Sequence, residues 1–348
     1  MTERHPTDWR IEQQDTAPAD WTDFIAACPD SHFFATPLWT RAICRHWSGT
    51  TPIWLTARQD RRLVAGMVAL HLRRGPLGRL VSHFEGTQGG PLVAADLLPP
   101  HQDSLFQDLV QAYATLRRGT TLEATLTLGA GREARFGALL SQQVWRRREV
   151  PTAIMPLAGG LKHVEMHVLK KNRRNERNRS LKRGCRYEVT TDPDKLAAYY
   201  PIYRAAAQRW QIAPVPQRLL HQLLVEGEGR VFLTLVCLQE QVIGGHLNVH
   251  WGDRVTAWNG ATLPEHDDSF PATLLIWADL EEACRRGAHW LDLGGSGSRR
   301  KLADFKRLLG ADEEVSAHYQ LETALVRAWR RSRTWFRSLR QPGSAGNS

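Results

Sequence analysis

A carboxylate and an ammonium flank a glycine-rich turn near the C-terminal end of the chain. Asp292 ends a short apolar strand at residues 290–293, which runs into Gly294-Gly295-Ser296-Gly297, and Phe305-Lys306 follow on a helical segment. Burial at the end of an apolar strand raises a carboxyl pKa, so Asp292 could serve as a general base toward an amine. It could instead accept backbone N–H groups of the glycine turn, and we favour that structural role.

Lys306 is a candidate for electrostatic catalysis. A fixed ammonium beside a developing oxyanion can lower a reaction barrier by several kcal/mol. From the residues alone, a solvated surface lysine is the alternative, because Arg299, Arg300, Lys301 and Arg307 lie nearby in the sequence.

Motifs of other enzyme classes are missing from the sequence. There is no Gly-x-Ser-x-Gly, no His-Glu-x-x-His and no Walker loop, and we cannot assemble a Ser-His-Asp arrangement. Transfer of an acyl group from an activated ester to an amine needs none of these, because the donor already carries the activation.

Helices and strands of readable length position these groups. Ser269 and Pro271 predict the start of a helix and Gly287 its end, and a second helix follows at residues 302–309. Strands at residues 230–238, 242–251 and 254–261 precede them and should bring His246 and Trp258-Asn259-Gly260 to the same cleft. We interpret His246 as a packed or hydrogen-bonded strand residue.

The order of these pieces resembles the FemAB-type branch of the GNAT acyltransferase superfamily. The resemblance is carried by an L-L-x-x-x-x-L-x-x-A-x-x-x-G helix, an L-D-x-G-G-S strand end and a D-F-K-x-x-x-G turn, and it extends over residues 21–319. This branch includes aminoacyl-tRNA-dependent enzymes that build peptidoglycan cross-bridges. It implies an acyltransferase that moves an aminoacyl or acyl group to an amine, with a peptidoglycan precursor as one candidate acceptor.

The resemblance also implies roles for individual residues. Lys306 and Phe305 match the pair that contacts the acyl donor, with Asp292 beside them as the third catalytic candidate. Donor binding is expected from Arg173, Arg174, Arg177, Trp258, Asn259, Gly294, Gly295 and Ser296. Acceptor binding is expected from Trp39, in an S-x-F-F-x-T-P-x-W segment, and from Gly90 and Pro91. No metal and no tightly bound cofactor are expected.

Two departures from the family leave the acceptor open. The bridge-forming enzymes tend to have a long helical hairpin in the second domain, and no heptad stretch predicts one here. In those enzymes an acidic residue often follows the Gly-Pro of the first domain, whereas Leu92 follows Gly90-Pro91 in this chain.

Composition places the chain among soluble globular proteins. Its 348 residues are 42% hydrophobic and 24% charged, and no apolar run approaches the roughly 20 residues of a membrane span. The five cysteines are scattered without C-x-x-C spacing, which favours a reducing compartment and argues against structural zinc. With no secretory signal at the N-terminus, we expect a cytoplasmic protein, with contact to the inner face of the membrane as an option.

The positive charge is concentrated in two segments. The formal net charge is +10, while residues 170–186 contain nine Lys or Arg against one Glu and residues 327–340 contain six Arg without an acid. We expect residues 161–183 to form a helix that carries most of the first segment. A solvated helix face is the usual fate of a charge run, but this density favours an anionic partner.

The alternation of helices and strands predicts a mixed α/β (α+β) fold of two tandem GNAT-like domains, each a mostly antiparallel mixed sheet flanked by helices. We expect a flexible N-terminus at residues 1–20, a degenerate acceptor-side domain at 21–155 and an acyl-transfer domain at 156–320. Residues 321–348 are expected to form a basic amphipathic helix that docks on an anionic membrane or packs on the first domain.

The donor is predicted from the loop that precedes the central helix. CoA-dependent GNAT enzymes usually hold the pyrophosphate with a glycine-containing loop at a helix N-terminus. Residues 263–271 contain no glycine, three acids and a proline at the helix start. We therefore predict an aminoacyl-tRNA donor, with acyl-CoA as the runner-up and a non-catalytic RNA- or membrane-binding adaptor as a second alternative.

Overall fold

The computed structural model describes residues 9–84, 86–297, 299–323 and 326. The first half of the chain (residues 9–156) contains, in order, β1 Arg10–Gln14, α1 Trp21–Ala27, a 3-10 turn at Phe33–Ala35, α2 Pro37–His46, β2 Thr50–Gln59, β3 Arg62–Arg74, β4 Leu77–Val81, β5 Leu92–Val93, α3 Pro99–Thr115, β6 Thr121–Leu128, α4 Ala130–Ser141 and β7 Arg146–Pro156.

The second half (residues 160–322) contains α5 Gly160–His163, a π-helical turn at Val164–Val168, α6 Lys171–Lys182, β8 Cys185–Thr190, α7 Leu196–Arg209, α8 Gln217–Glu226, β9 Val231–Leu238, β10 Gln241–Trp251, β11 Arg254–Thr262, a 3-10 helix at Pro264–Ser269, α9 Pro271–Arg285, β12 Trp290–Gly295, α10 Arg300–Leu308 and β13 Asp312–Glu322.

Strands from both halves form one mixed sheet. Within the described residues its order is β1-β2-β3-β4-β6-β13-β7-β12-β11-β10-β9-β8, with β5 paired to β3. The large mixed sheet with flanking helices confirms the predicted fold class.

The two halves repeat one plan and exchange their last strands. In each half an antiparallel meander leads into a long helix and then into a strand parallel to the end of the meander, β4 with β6 and β11 with β12. The last strand of the first half, β7, pairs with β12, and the last strand of the second half, β13, pairs with β6; β7 and β13 also pair with each other. The predicted boundary near residue 155 therefore falls at the end of a strand that belongs to the shared sheet.

Apolar side chains of both halves also share a core. Phe33, Phe34 and Trp39 of the N-terminal segment pack in one cluster with Tyr199 of α7 and Leu223 of α8. The Thr36 side chain caps α2 by accepting the Trp39 N–H at 3.2 Å, which fixes the direction of that helix. Burial of these large side chains holds the start of the chain against the second half.

Three local expectations need correction. Residues 10–14, in the segment expected to be flexible, form β1 because the open edge of β2 offers a full ladder from Arg10↔Arg58 to Gln14↔Trp54. The residue that precedes α9 is Phe270, with φ of 54°, and Ser269 makes no cap hydrogen bond. The helix expected over residues 161–183 is broken between its π-helical turn and α6, where Leu169 and Lys170 are extended.

Candidate active site

A cavity of about 790 Å³ lies between the two halves. Its wall includes the end of β12, the middle of β11, the start of α9 and α10 from the second half. From the first half it includes His83, the loop at Thr87 and Gln88, Thr127 at the end of β6, and Arg148 of β7. The site is therefore built at the seam where the two halves meet.

The parallel strands β11 and β12 separate at this cavity. Their pairing ends at Thr256↔Asp292, although β11 continues to Thr262. On the side that pairs with β10, β11 carries a bulge. Leu247 pairs with Asn259 and Asn248 pairs with Ala257, so Trp258 is the extra residue. The backbone of β11 beyond Thr256 thus loses its partner strand and faces open space, where a bound molecule can take the hydrogen bonds.

Lys306 belongs to α10 and packs against the end of β12, with only 8% of its surface exposed. Its ammonium donates hydrogen bonds to the carbonyl oxygens of Leu293, Gly294 and Gly295 at 2.6, 2.9 and 3.1 Å. Burial lowers the pKa of Lys306 to about 8, with the Asp292 carboxylate acting in the opposite direction. Lys306 is therefore the residue that fixes the glycine turn at the mouth of the cavity.

Asp292 sits beneath the same turn. One carboxylate oxygen accepts the Gly294 N–H at 2.8 Å, and the other lies 3.7 Å from the Arg254 guanidinium. Burial raises the pKa of Asp292, while Arg254, the Gly294 N–H and Lys306 lower it. The hydrogen bond from the Gly294 N–H agrees with the structural role favoured for Asp292 in the glycine turn.

Phe305 also lines the cavity, and the Arg173 guanidinium lies over its ring at 4.9 Å from the centroid. Among the expected donor-binding residues, Trp258, Asn259, Gly294 and Gly295 line the cavity, whereas Ser296 is buried outside its wall.

The three arginines expected to bind the donor are used within the protein. Arg174 donates to the carbonyl oxygens of Glu165, Met166 and Leu169, at 2.6, 3.0 and 3.1 Å. Arg177 pairs with Glu165 at 2.6 Å and lies over the Trp277 ring, and Arg173 pairs with Glu176 at 2.6 Å. They anchor α6 to its neighbours and do not line the cavity, so their contact with a donor stays a prediction.

The three expected acceptor residues also lie behind the cavity wall. Trp39 is buried and meets the Trp258 ring edge to face at a centroid distance of 4.9 Å. The carbonyl oxygens of Gly90 and Pro91 each accept from the buried Arg132 guanidinium at 3.4 Å. These residues support the wall from behind, and their contact with an acceptor stays a prediction.

Sequence reasoning missed the part of the cavity wall that the first half supplies, which we call the first-half wall. His83 lies in the loop after β4, Thr127 in β6 and Arg148 in β7, and His318 of β13 lies beside them. The His83 and His318 rings meet edge to face at 5.1 Å, and burial lowers the pKa of His83 to about 3, so its ring is neutral. No sequence pattern pointed to these residues, because the exchange of β7 and β13 is what brings them together.

The cavity wall is predominantly cationic. The arginines are Arg148, Arg209, Arg254 and Arg299, which with Lys306 face the carboxylates of Asp267 and Asp292. Among the described lining residues, five cations against two acids favour a ligand with negative charge.

Residues 168–307 match the family model of the acetyltransferase (GNAT) domain. The matched segment contains β11 with its bulge, α9, β12 and Lys306. No curated protein matches the sequence significantly.

Solved structures resemble both halves together. FemX superimposes with a TM-score of 0.70 at 12% identity, over 91% of this chain and 99% of FemX. A tandem GNAT protein from the clavulanic acid biosynthesis pathway superimposes with a TM-score of 0.56 at 14% identity, over 90% and 98% of the two chains. The C-terminal domain of a candidate lysylphosphatidylglycerol synthetase from Agrobacterium fabrum does so with a TM-score of 0.56 at 11% identity, over 77% and 85%.

The fold is that of a tandem GNAT protein. A GNAT acetyltransferase domain is matched at residues 168–307, and the fold over nearly the whole length resembles that of FemX. The predicted GNAT fold is thereby confirmed, and the likeness to FemX agrees with the predicted FemAB-like branch of acyltransferases.

Proposed function

We propose that this protein transfers an aminoacyl group from aminoacyl-tRNA to the amine of an anionic acceptor in the cavity between the halves. The observation that carries the proposal is the separation of β11 from β12 beside the turn held by Lys306. An ester placed in that gap can accept hydrogen bonds from the unpaired backbone of β11. The amine reaches it from the first-half side of the cavity.

The chemistry requires positioning and electrostatic stabilisation more than a nucleophilic residue. The amine nitrogen attacks the ester carbonyl, and negative charge develops on the carbonyl oxygen. All three hydrogens of the Lys306 ammonium are directed at backbone carbonyls, so its charge acts through the turn that it fixes. Phe305 and Arg254 complete the wall on that side.

The surroundings of α9 support tRNA over CoA as the donor. The 3-10 helix before α9 carries Glu265, Asp267 and Asp268, all exposed, where a CoA pyrophosphate would need backbone N–H groups. The basic helix α6 packs against α9, and the exposed cations along and beside it are Lys170, Lys171, Arg179, Lys182, Arg183 and Arg186, of which Arg183 pairs with Asp268. Acyl-CoA stays the alternative donor, because the matched family is named for acetyl transfer.

The acceptor proposal rests on the charge of the cavity. Arg148 and Arg209 extend into it from opposite halves, which suits an acceptor bearing phosphate or carboxylate groups, such as a peptidoglycan precursor or a lipid-linked amine.

The basic tail at residues 321–348 is predicted to touch the membrane. Except for residues 321–323 and 326, it lies outside the described residues. None of the helices among the described residues has the length and apolar character of a membrane span. Liposome flotation with and without residues 324–348 tests the tail directly.

The donor is tested by binding. Affinities for aminoacyl-tRNA and for acetyl-CoA are measured at several salt concentrations in the wild type and in a Lys170→Glu/Lys171→Glu/Arg179→Glu variant. We expect tRNA binding that falls steeply with salt and is weakened at least tenfold in the variant. An Arg73→Glu/Arg74→Glu/Arg118→Glu variant, at three exposed positions of the first half, makes the same change in net charge and should bind nearly as the wild type does. Tight acetyl-CoA binding without tRNA binding overturns the choice of donor.

Acceptors are then screened by acyl transfer itself. Charged tRNA with a peptidoglycan precursor, and separately with an aminolipid vesicle, should yield a new amide detected by mass spectrometry. If no donor and acceptor pair gives product while tRNA still binds, the adaptor alternative replaces the enzyme.

A further inference from the structure

A buried aspartate and a cavity-lining histidine form a pair that the proposed chemistry has not used. Asp279 of α9 has no exposed side-chain surface, and its Oδ2 lies 2.6 Å from His246 Nδ1 of β10. Its Oδ1 accepts from the Thr234 hydroxyl at 2.6 Å and from the Asn248 amide at 2.7 Å. Three donors from three positions therefore converge on one carboxylate.

This network fixes the tautomer of His246. An ionised carboxylate only accepts hydrogen bonds, so the ring nitrogen that faces Asp279 must carry the proton. The other nitrogen, Nε2, then presents its lone pair to the cavity that His246 lines, and it has no hydrogen-bond partner among the described residues. A buried carboxylate that orients an imidazole in this way stabilises the positive charge that the ring gains on taking a proton.

The position of Gly260 brings Nε2 to the gap between β11 and β12. His246 and Gly260 are directly paired across β10 and β11, next to the Trp258 bulge. A Cβ atom at residue 260 would lie 2.4 Å from His246 Nε2, so the ring occupies the space that the missing side chain leaves. A molecule held against the free edge of β11 at Asn259 and Gly260 is therefore beside this nitrogen.

We propose that His246 is the proton acceptor of the acyl transfer and that Asp279 is its positioning residue. This inference rests on the proposed function. The amine nitrogen forms its bond to the ester carbonyl carbon while His246 Nε2 takes the amine proton. The bond from that carbon to the tRNA ribose oxygen then breaks, and the imidazolium gives its proton to the departing oxygen. The products are an amide and a free ribose hydroxyl, and His246 returns to its neutral form.

The charged neighbours of His246 are few. Asp279 faces the ring from α9, β9 and β10 contribute the uncharged Thr234 and Asn248, and β11 contributes Gly260. The Tyr199 ring packs against Gly245, which precedes His246 on β10, and the Tyr199 hydroxyl donates to Asn259. Asp279 is therefore the charged neighbour through which the protein orients the His246 ring.

The test compares His246→Gln, Asp279→Asn and wild type over a pH series with aminoacyl-tRNA as donor. The glutamine side chain of the first variant can still donate to Asp279 through its amide, so the fold is expected to survive, and a thermal melt checks this. We expect kcat to fall by about 10²–10⁴-fold in His246→Gln across the pH series, with donor binding nearly unchanged. Asp279→Asn should reduce kcat by at least tenfold, because an amide facing Nδ1 favours the tautomer with the proton on Nε2.

A second pair of the same kind provides the control. His289 lies 3.7 Å from Asp253, both exposed and away from the cavity, so His289→Gln should keep the wild-type rate and pH profile. A folded His246→Gln protein that keeps the wild-type kcat overturns the assignment of His246. Failure of wild type to transfer any acyl group is a different result, which removes the proposed function itself.

Discussion

The Lys306 ammonium lies 2.6 Å from the carbonyl oxygen of Leu293, and this contact joins α10 to the end of β12. Replacing Lys306 with Met removes the charge and all three carbonyl contacts while keeping much of the side-chain volume. We expect turnover to fall by about two to four orders of magnitude, because the turn beside the reacting ester loses its anchor. Lys306→Arg should be intermediate, since a guanidinium is larger and fits three convergent carbonyls poorly.

Lys301→Met on the same helix is the matched control, because Lys301 is exposed and its ammonium has no hydrogen bond within the described residues. Steady-state rates of the three variants, with circular dichroism to confirm folding, decide the matter. A fully active Lys306→Met protein would leave the lysine with no part in the reaction.

Lys306 should also make stability depend on pH. Burial lowers its pKa from 10.5 to about 8 in the folded protein. Between these two values the unfolded chain binds a proton that the folded chain has released, so the free energy of unfolding should rise with pH. We expect the wild type to gain on the order of 2 kcal/mol relative to Lys306→Met between pH 7.5 and pH 10. Denaturant titrations of both proteins at both pH values measure the difference, and parallel changes would contradict the burial of a titrating ammonium.

The sequence was informative where structure is local. The helix α9, the strand β12, the glycine turn and α10 follow from apolar periodicity and from Pro271, Gly287 and Gly310 over a few residues each. The roles of Arg174 and Arg177 could not be predicted in this way. The density of basic residues in this segment suggested an anion-binding face. In the structure, Glu165 and the backbone carbonyls before α6 bind both guanidinium groups, and a local sequence pattern does not reveal these contacts.

The first-half wall shows a second limit of sequence reasoning. Arg148 and His318 are neighbours across paired strands, yet 170 residues separate them in the chain. No periodicity or motif predicts that β7 pairs with β12 and β13 with β6, because these pairings depend on contacts between distant parts of the chain. The candidate residues in the second half were therefore mostly brought together, whereas Trp39, Gly90 and Pro91 lie behind the wall that they were expected to line.

The contact between Trp39 and Trp258 should contribute strongly to stability. Trp39 is 3% exposed and packs against Phe33, Phe34 and Trp258 from both halves. We expect Trp39→Ala to lower the free energy of unfolding by about 3–5 kcal/mol through the cavity that it leaves. Trp210→Ala is the control, because Trp210 is 39% exposed and should cost much less. Urea denaturation compares the two, and equal losses would contradict a core shared by the halves.

The exchanged strands predict how the chain behaves when it is cut. A protease site inserted after Gly159 lies in the exposed connection between β7 and α5, so cleavage should leave the sheet intact. We expect the two fragments to elute together in size-exclusion chromatography, because β7 pairs with β12 and β13 pairs with β6. Each fragment expressed alone lacks a strand in the middle of its sheet and should be insoluble or unfolded. A second site at the exposed Gly75 turn between β3 and β4 controls for the effect of a nick. Fragments that separate after cleavage and remain folded would show that the halves are independent domains.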